Sequence, residues 1–177
     1  MGILVMVGKG RWTGRLVLVV AVVATIGCDR VTKHVASSSL ADRPASSYLG
    51  DTLRIGYVEN AGGFLSLGAA LPPGLRTAIF TSATGVMLLV LTGFAVYRRL
   101  QGWPAVGVAL FVAGGTSNWV DRVTHGAVVD FLNVGVGPLR TGVFNVADMA
   151  IVLGAMVFVV SEIRGRRATS PCRCRVP

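Results

Sequence analysis

Four aspartates in this chain stand where an apolar sequence has little use for charge. Asp29, Asp121, Asp130 and Asp148 lie in or beside long uncharged runs, in 177 residues that are 53% hydrophobic and 14% charged. A carboxylate in or near hydrocarbon costs several kcal/mol, so it is read first as a functional residue. Two carboxylates brought close together cannot both ionise cheaply. One pKa rises, and the pair holds one proton near neutral pH. The charged member then takes a proton from water while the neutral member polarises a carbonyl, which is general acid–base hydrolysis. No base interrupts the run around Asp148 to pair with it.

Amides and small residues surround these acids. Asn118 precedes Asp121 by three residues and Asn145 precedes Asp148 by three, a spacing that places each pair on one helical face. Such amides can hold a buried carboxylate in one rotamer. Arg122 is positioned to offset Asp121. Gly114, Gly115, Gly126 and Ala147 let helices approach closely. These features predict that the last two apolar segments bring Asp130 and Asp148 together. Asp29 and Lys33, four apart, also fit a local ion pair.

The elements that must position these groups are apolar helices. Crossing a hydrocarbon core takes about 20 residues. Uncharged runs of 21 residues lie between Arg76 and Arg98 and between Arg99 and Asp121, and Asp148 alone interrupts a third between Arg140 and Glu162. A shorter run of 13 lies between Arg15 and Asp29. The expected fold is an all-α membrane protein with four transmembrane helices in a single domain. Its spans fall at about 12–34, 77–97, 100–120 and 141–161. An extracytoplasmic loop over about 35–76 contains the alternating run Thr52–Val58, a strand or hairpin signal. The first run also contains Thr25-Ile26-Gly27-Cys28, similar to a lipoprotein cleavage site, but three further spans follow and it is read as retained.

Charge placement gives the orientation. The net charge is +9. Ten bases and one acid fall on the side holding both termini and the Arg98-Arg99 turn, and seven bases and six acids fall on the other. The positive-inside rule makes both termini cytoplasmic. The surplus therefore signals orientation and attraction to membrane lipids rather than a nucleic-acid partner. The end of the chain, 164–177, reads as a basic cytoplasmic tail.

Here the residues resemble a known family, the bacterial lipoprotein signal peptidases (signal peptidase II). The family's Asp…Thr-Lys motif stands as Asp29-Arg-Val-Thr32-Lys33. Its Asn-x-Gly-x-x-Phe loop is similar to Asn60-Ala-Gly62-Gly-Phe64, with the phenylalanine one place early. Its Asn-x-x-Asp-Arg…Gly-x-Val-Val-Asp-Phe motif appears at Asn118, Asp121-Arg122 and Gly126 to Phe131. Phe144-Asn145-Val-Ala147-Asp148 matches the last motif. The resemblance implies an aspartic endopeptidase of the bacterial inner membrane, cutting diacylglyceryl-modified prolipoproteins before the lipidated cysteine and working as a monomer. It puts the catalytic pair on Asp130 and Asp148. Supporting positions fall on Asp29, Lys33, Asn60, Gly62, Asn118, Asp121, Arg122, Asn145 and Ala147, with Asp29 and Asn60 expected to hold substrate or the covering loop. No cofactor and no metal is implied. The chain departs from the family where Ala113 and Ser117 replace glycines.

Other readings are weaker. Asp121…Gly126-x-x-x-Asp130 is a fragment of a metal-dependent phosphatidyltransferase motif, but its next aspartate is replaced by Val134. A proton-coupled transporter would line several spans with polar groups, whereas these acids gather at one level. Ser117 and His125 lack a serine-protease motif. His34 and His125 are too isolated for a zinc site, and Cys172-x-Cys174 lacks a second ligand pair. Trp12, Trp103 and Trp119 read as interfacial anchors.

Overall fold

A computed structural model describes residues 6–62, 70–72, 74–75 and 78–169. Phe64, Arg76 and the Cys172-x-Cys174 end of the basic tail lie outside the described residues. Helix α1 spans Met6–Leu40. A six-residue π-helical segment, Ala78–Ala83, leads into α2, Thr84–Tyr97. Helix α3 spans Gly102–His125 and α4 spans Val146–Thr169. Among the described residues, two stretches, Ala78–Tyr97 and Val146–Arg166, are long and apolar enough to cross a membrane.

Between the helices lies an antiparallel sheet in the order β1-β2-β3-β4. Its strands are β1 (Ser46–Tyr48), β2 (Leu53–Asn60), β3 (Val128–Val136) and β4 (Leu139–Arg140). The alternating run expected at 52–58 is thus part of β2. Strand β3, by contrast, falls in a stretch read from sequence as a loop. Its Val128, Phe131 and Val134 suit a pleated surface. Successive side chains alternate faces, and Val128 and Asp130, both 1% exposed, share the inward one. A bulge between Ile55 and Val58 sets Val58 opposite Asp130 and Asn60 opposite Val128. The end of β2 therefore lies beside the acid of β3.

Glycine permits the tightest helix contact. A Cβ on Gly107 of α3 would lie 2.7 Å from the Phe158 nitrogen and 2.8 Å from the Gly154 carbonyl of α4. Gly114 approaches the Ala147 carbonyl more closely still. Only residues without a side chain allow this, and the contact sets α3 directly against the first turn of α4. Gly126, with φ of 76°, ends α3 in the left-handed region and turns the chain into β3.

Helix α3 also packs on α2. Trp119 Nε1 donates to the Thr81 carbonyl in the π-helical segment at 2.8 Å. Trp119 is therefore an interhelical tie and not the interfacial anchor expected from sequence, whereas Trp103 is 72% exposed.

Candidate functional site

The first turn of α4 fixes Asp148. Asn145 caps this helix: its Oδ1 accepts from the Asp148 backbone N–H at 3.0 Å, and its own N–H donates to Asp148 Oδ2 at 3.2 Å. The pair forms a reciprocal box that satisfies two N–H groups left without helical partners. Asp148 sits in the first turn of its helix, earlier than the second or third turn expected from the charge-free run. The reason is that Phe144 pairs with Leu132 of β3, which keeps the preceding chain extended.

The Asn145 amide also reaches Asp130 Oδ1 at 2.6 Å, and Asn60 Nδ2 donates to Asp130 Oδ2 at 2.9 Å. Both oxygens of Asp130 are thus held. Asn118 of α3 donates to Asp148 Oδ1 at 2.9 Å and accepts from Asn145 Nδ2 at 3.2 Å. Asp130 and Asp148 are 1% and 7% exposed and share Asn145 as a common partner. Asp130 comes from strand β3, in the stretch read from sequence as a loop between the last two spans. Burial pushes its carboxyl pKa above the usual value of 3.8, against the opposing pull of its two amide donors and of Lys33 and Arg122.

A second layer lies behind this pair. Lys33 Nζ lies 2.7 Å from Asp29 Oδ2, 2.7 Å from Asp121 Oδ2 and 2.8 Å from Asn118 Oδ1. That last contact fixes the Asn118 amide, because an ammonium can only donate. The amide oxygen faces Lys33, and its NH₂ is left to face Asp148. Asp29 is 0% exposed. Its oxygens take the Ser117 hydroxyl at 2.7 Å and the Ala147 backbone N–H at 2.9 Å. Asp29 therefore braces α1 against α3 and α4. Ala147 itself is 0% exposed.

Arg122 offsets the charge of Asp121 electrostatically, as it does that of Asp130 and Asp148, but its hydrogen bonds go elsewhere. Its fork grips the Gly62 carbonyl, with Nε at 3.0 Å and a terminal nitrogen at 2.8 Å. The Gly62 N–H in turn donates to Asn60 Oδ1 at 3.0 Å. Asp121 is paired instead with Lys33 and Arg30. Adjacent residues on a helix point in different directions, so the pairing partner comes from α1.

All eleven residues singled out by the motifs meet in this region. Sequence reading missed Arg30 and the role of Ser117. Arg30 and Lys33, three apart on α1, form a cationic face, and that spacing was the available signal. The cluster holds the carboxylates of Asp29, Asp121, Asp130 and Asp148 against the cations of Arg30, Lys33 and Arg122. One more acid than base leaves room for one proton, and the paired carboxylates are where acid–base chemistry can use it.

A family model described as signal peptidase (SPase) II matches residues 20–164. The lipoprotein signal peptidase of Streptomyces griseus is 34% identical over 166 residues, covering 89% of this chain and 78% of that protein. The protein of the same name from Mycobacterium tuberculosis strain H37Rv is 37% identical over 158 residues, covering 85% and 72%. A bacterial membrane enzyme determined by the in meso method shares the fold, with a TM-score of 0.76 at 20% identity, over 90% of this chain and 94% of that one.

Proposed function

This chain belongs to the signal peptidase II family, and on that premise we propose that it removes signal peptides from prolipoproteins with Asp130 and Asp148 as its catalytic pair. It is an aspartic-type peptidase. The observation that carries the assignment of the pair is the joint bracing of two buried carboxylates by Asn145 and Asn118. The family displaces the phosphatidyltransferase and transporter readings.

In the proposed reaction the pair shares one proton. The ionised carboxylate takes a proton from water, and that water attacks the scissile carbonyl. The protonated carboxyl donates to the carbonyl oxygen as charge develops there. The intermediate collapses when the leaving amine receives a proton. No covalent link to the enzyme forms. Asn118 and Asn145 orient the pair, while Asn60 and Arg122 hold the start of the loop beside Asp130 at Gly62.

The substrate is a diacylglyceryl-modified prolipoprotein, cut before the lipidated cysteine. We place the four helices across the bacterial inner membrane in one domain, with both termini cytoplasmic and the sheet outside. Charge distribution supports that orientation. A lipid-anchored substrate then arrives laterally, with its scissile bond at the depth of the pair. The enzyme works as a monomer.

The test is cleavage of a diacylated prolipoprotein in detergent. Asp130→Asn and Asp148→Asn each lower the rate by about 10³-fold or more, the scale of general acid–base catalysis, while both proteins remain inserted and folded. Full activity in either variant rejects the assignment. EDTA leaves the rate unchanged, and strong inhibition by it favours a metal-dependent reaction.

A further inference from the structure

At the end of the α3–α4 pair remote from the aspartates, the two helices part. Gly107 and Gly154 hold them in contact. Beyond that point, toward the start of α3 and the end of α4, a cavity of about 460 Å³ opens. Trp103, Met156, Val157 and Val160 form its apolar wall, and Ser161 and Arg164 stand at its outer end. Trp103, Met156 and Val160 are 72%, 54% and 44% exposed. The groove is thus open on its side.

Its charge is one-sided. Arg164 lies at the groove, Arg166 follows one half-turn later on α4, and Arg98 and Arg99 form the turn before α3. Glu162 is the acid among the described residues at this end. A tryptophan and arginines at the rim of an apolar cleft mark the level of lipid headgroups. Basic pockets between membrane helices suit anionic headgroups. We propose that this groove seats one glycerophospholipid with a net negative headgroup, its acyl chain along Met156, Val157 and Val160 and its phosphate against Arg164. The occupant is a diester lipid rather than free phosphate, because most of the lining is hydrocarbon. A lipid wedged there ties the ends of α3 and α4 together. Those same helices carry Asn118 and Asp148 at their other ends, so the seat reinforces the packing on which the catalytic pair rests.

Native mass spectrometry and thermal unfolding of the full chain test this, with phosphatidylglycerol and phosphatidylcholine added separately in detergent. The wild type retains one phosphatidylglycerol and is stabilised by it more than by phosphatidylcholine. Arg164→Gln binds phosphatidylglycerol about fivefold more weakly, the share of one basic residue in attraction to an anionic surface. Val160→Trp fills the cleft and abolishes retention, while prolipoprotein cleavage in lipid-free detergent is unchanged in both variants. Equal retention of the two lipids by the wild type overturns the proposal. So does undiminished phosphatidylglycerol binding in both variants, or the same stabilisation from inorganic phosphate alone.

Discussion

Replacing Lys33 by methionine isolates the part of the site that does not touch the reaction. The substitution keeps the apolar stem and removes the ammonium, which is within 2.8 Å of Asp29, Asp121 and Asn118 at once. The side chain is 6% exposed, so water does not replace it freely. Asp29 keeps the Ser117 hydroxyl and the Ala147 N–H, and Asp121 keeps Arg30. Removing one member of a buried ion pair costs about 3–5 kcal/mol, and these surviving partners place the cost near the lower end, about 3 kcal/mol. Denaturant unfolding in a fixed detergent measures it. The double variant Lys33→Met/Asp29→Asn also removes one stranded anion, and its loss falls short of the sum of the single losses by at least about 1 kcal/mol. Cleavage changes too: the Asn118 amide loses the contact that sets its orientation, so kcat falls more than KM rises. A single-variant loss below about 1 kcal/mol with strictly additive losses refutes the reasoning, because the ammonium is then not the common counterion.

Other consequences follow from the same geometry. The raised pKa of Asp130 means that the native state binds more protons than the unfolded chain above pH 3.8. Wild-type stability therefore declines as pH rises through that window, and Asp130→Asn shows a shallower decline in unfolding series from about pH 4 to 8. Arg122→Ala lowers stability by about 1.5–3 kcal/mol through loss of the bonds to Gly62, and Arg122→Lys recovers less than half in the same assay because lysine has no fork. Gly114→Leu forces α3 away from the Ala147 carbonyl at a cost of about 1–3 kcal/mol in thermal unfolding, and it reduces cleavage because Asp148 moves with Ala147.

Much of this site is legible in the sequence because it is built from acids that an apolar chain does not otherwise tolerate. The three-residue spacing joins Asn145 to Asp148, which the structure uses as a helix cap, but the same spacing sets Asn118 beside Asp121, whereas its amide reaches across to Asp148. Asp130 is harder to place, because its context, Val128-Val129-Asp130-Phe131, does not reveal which partner strand sets its register. Asn60 supplies that partner from 70 residues away. Pairings across helices are hidden for the same reason. Asp121 sits beside Arg122 in sequence, yet helix geometry sends it to Arg30 and Lys33. Ser117 reads as a departure in packing until Asp29 appears opposite it. Trp119 reads as a membrane anchor until the π-helical segment offers it a carbonyl.

The bond from Asp29 to the Ala147 N–H joins residues 118 positions apart. During synthesis α1 emerges first, carrying a carboxylate whose last ligand belongs to the final helix. Asp130 likewise waits for Asn145, and Asp148 is itself part of that helix. A chain that ends before α4 lacks both Asp148 and the Asn145 amide that holds Asp130, and so cannot assemble the proposed pair. The order in which the polypeptide is made therefore sets when the proposed pair can form.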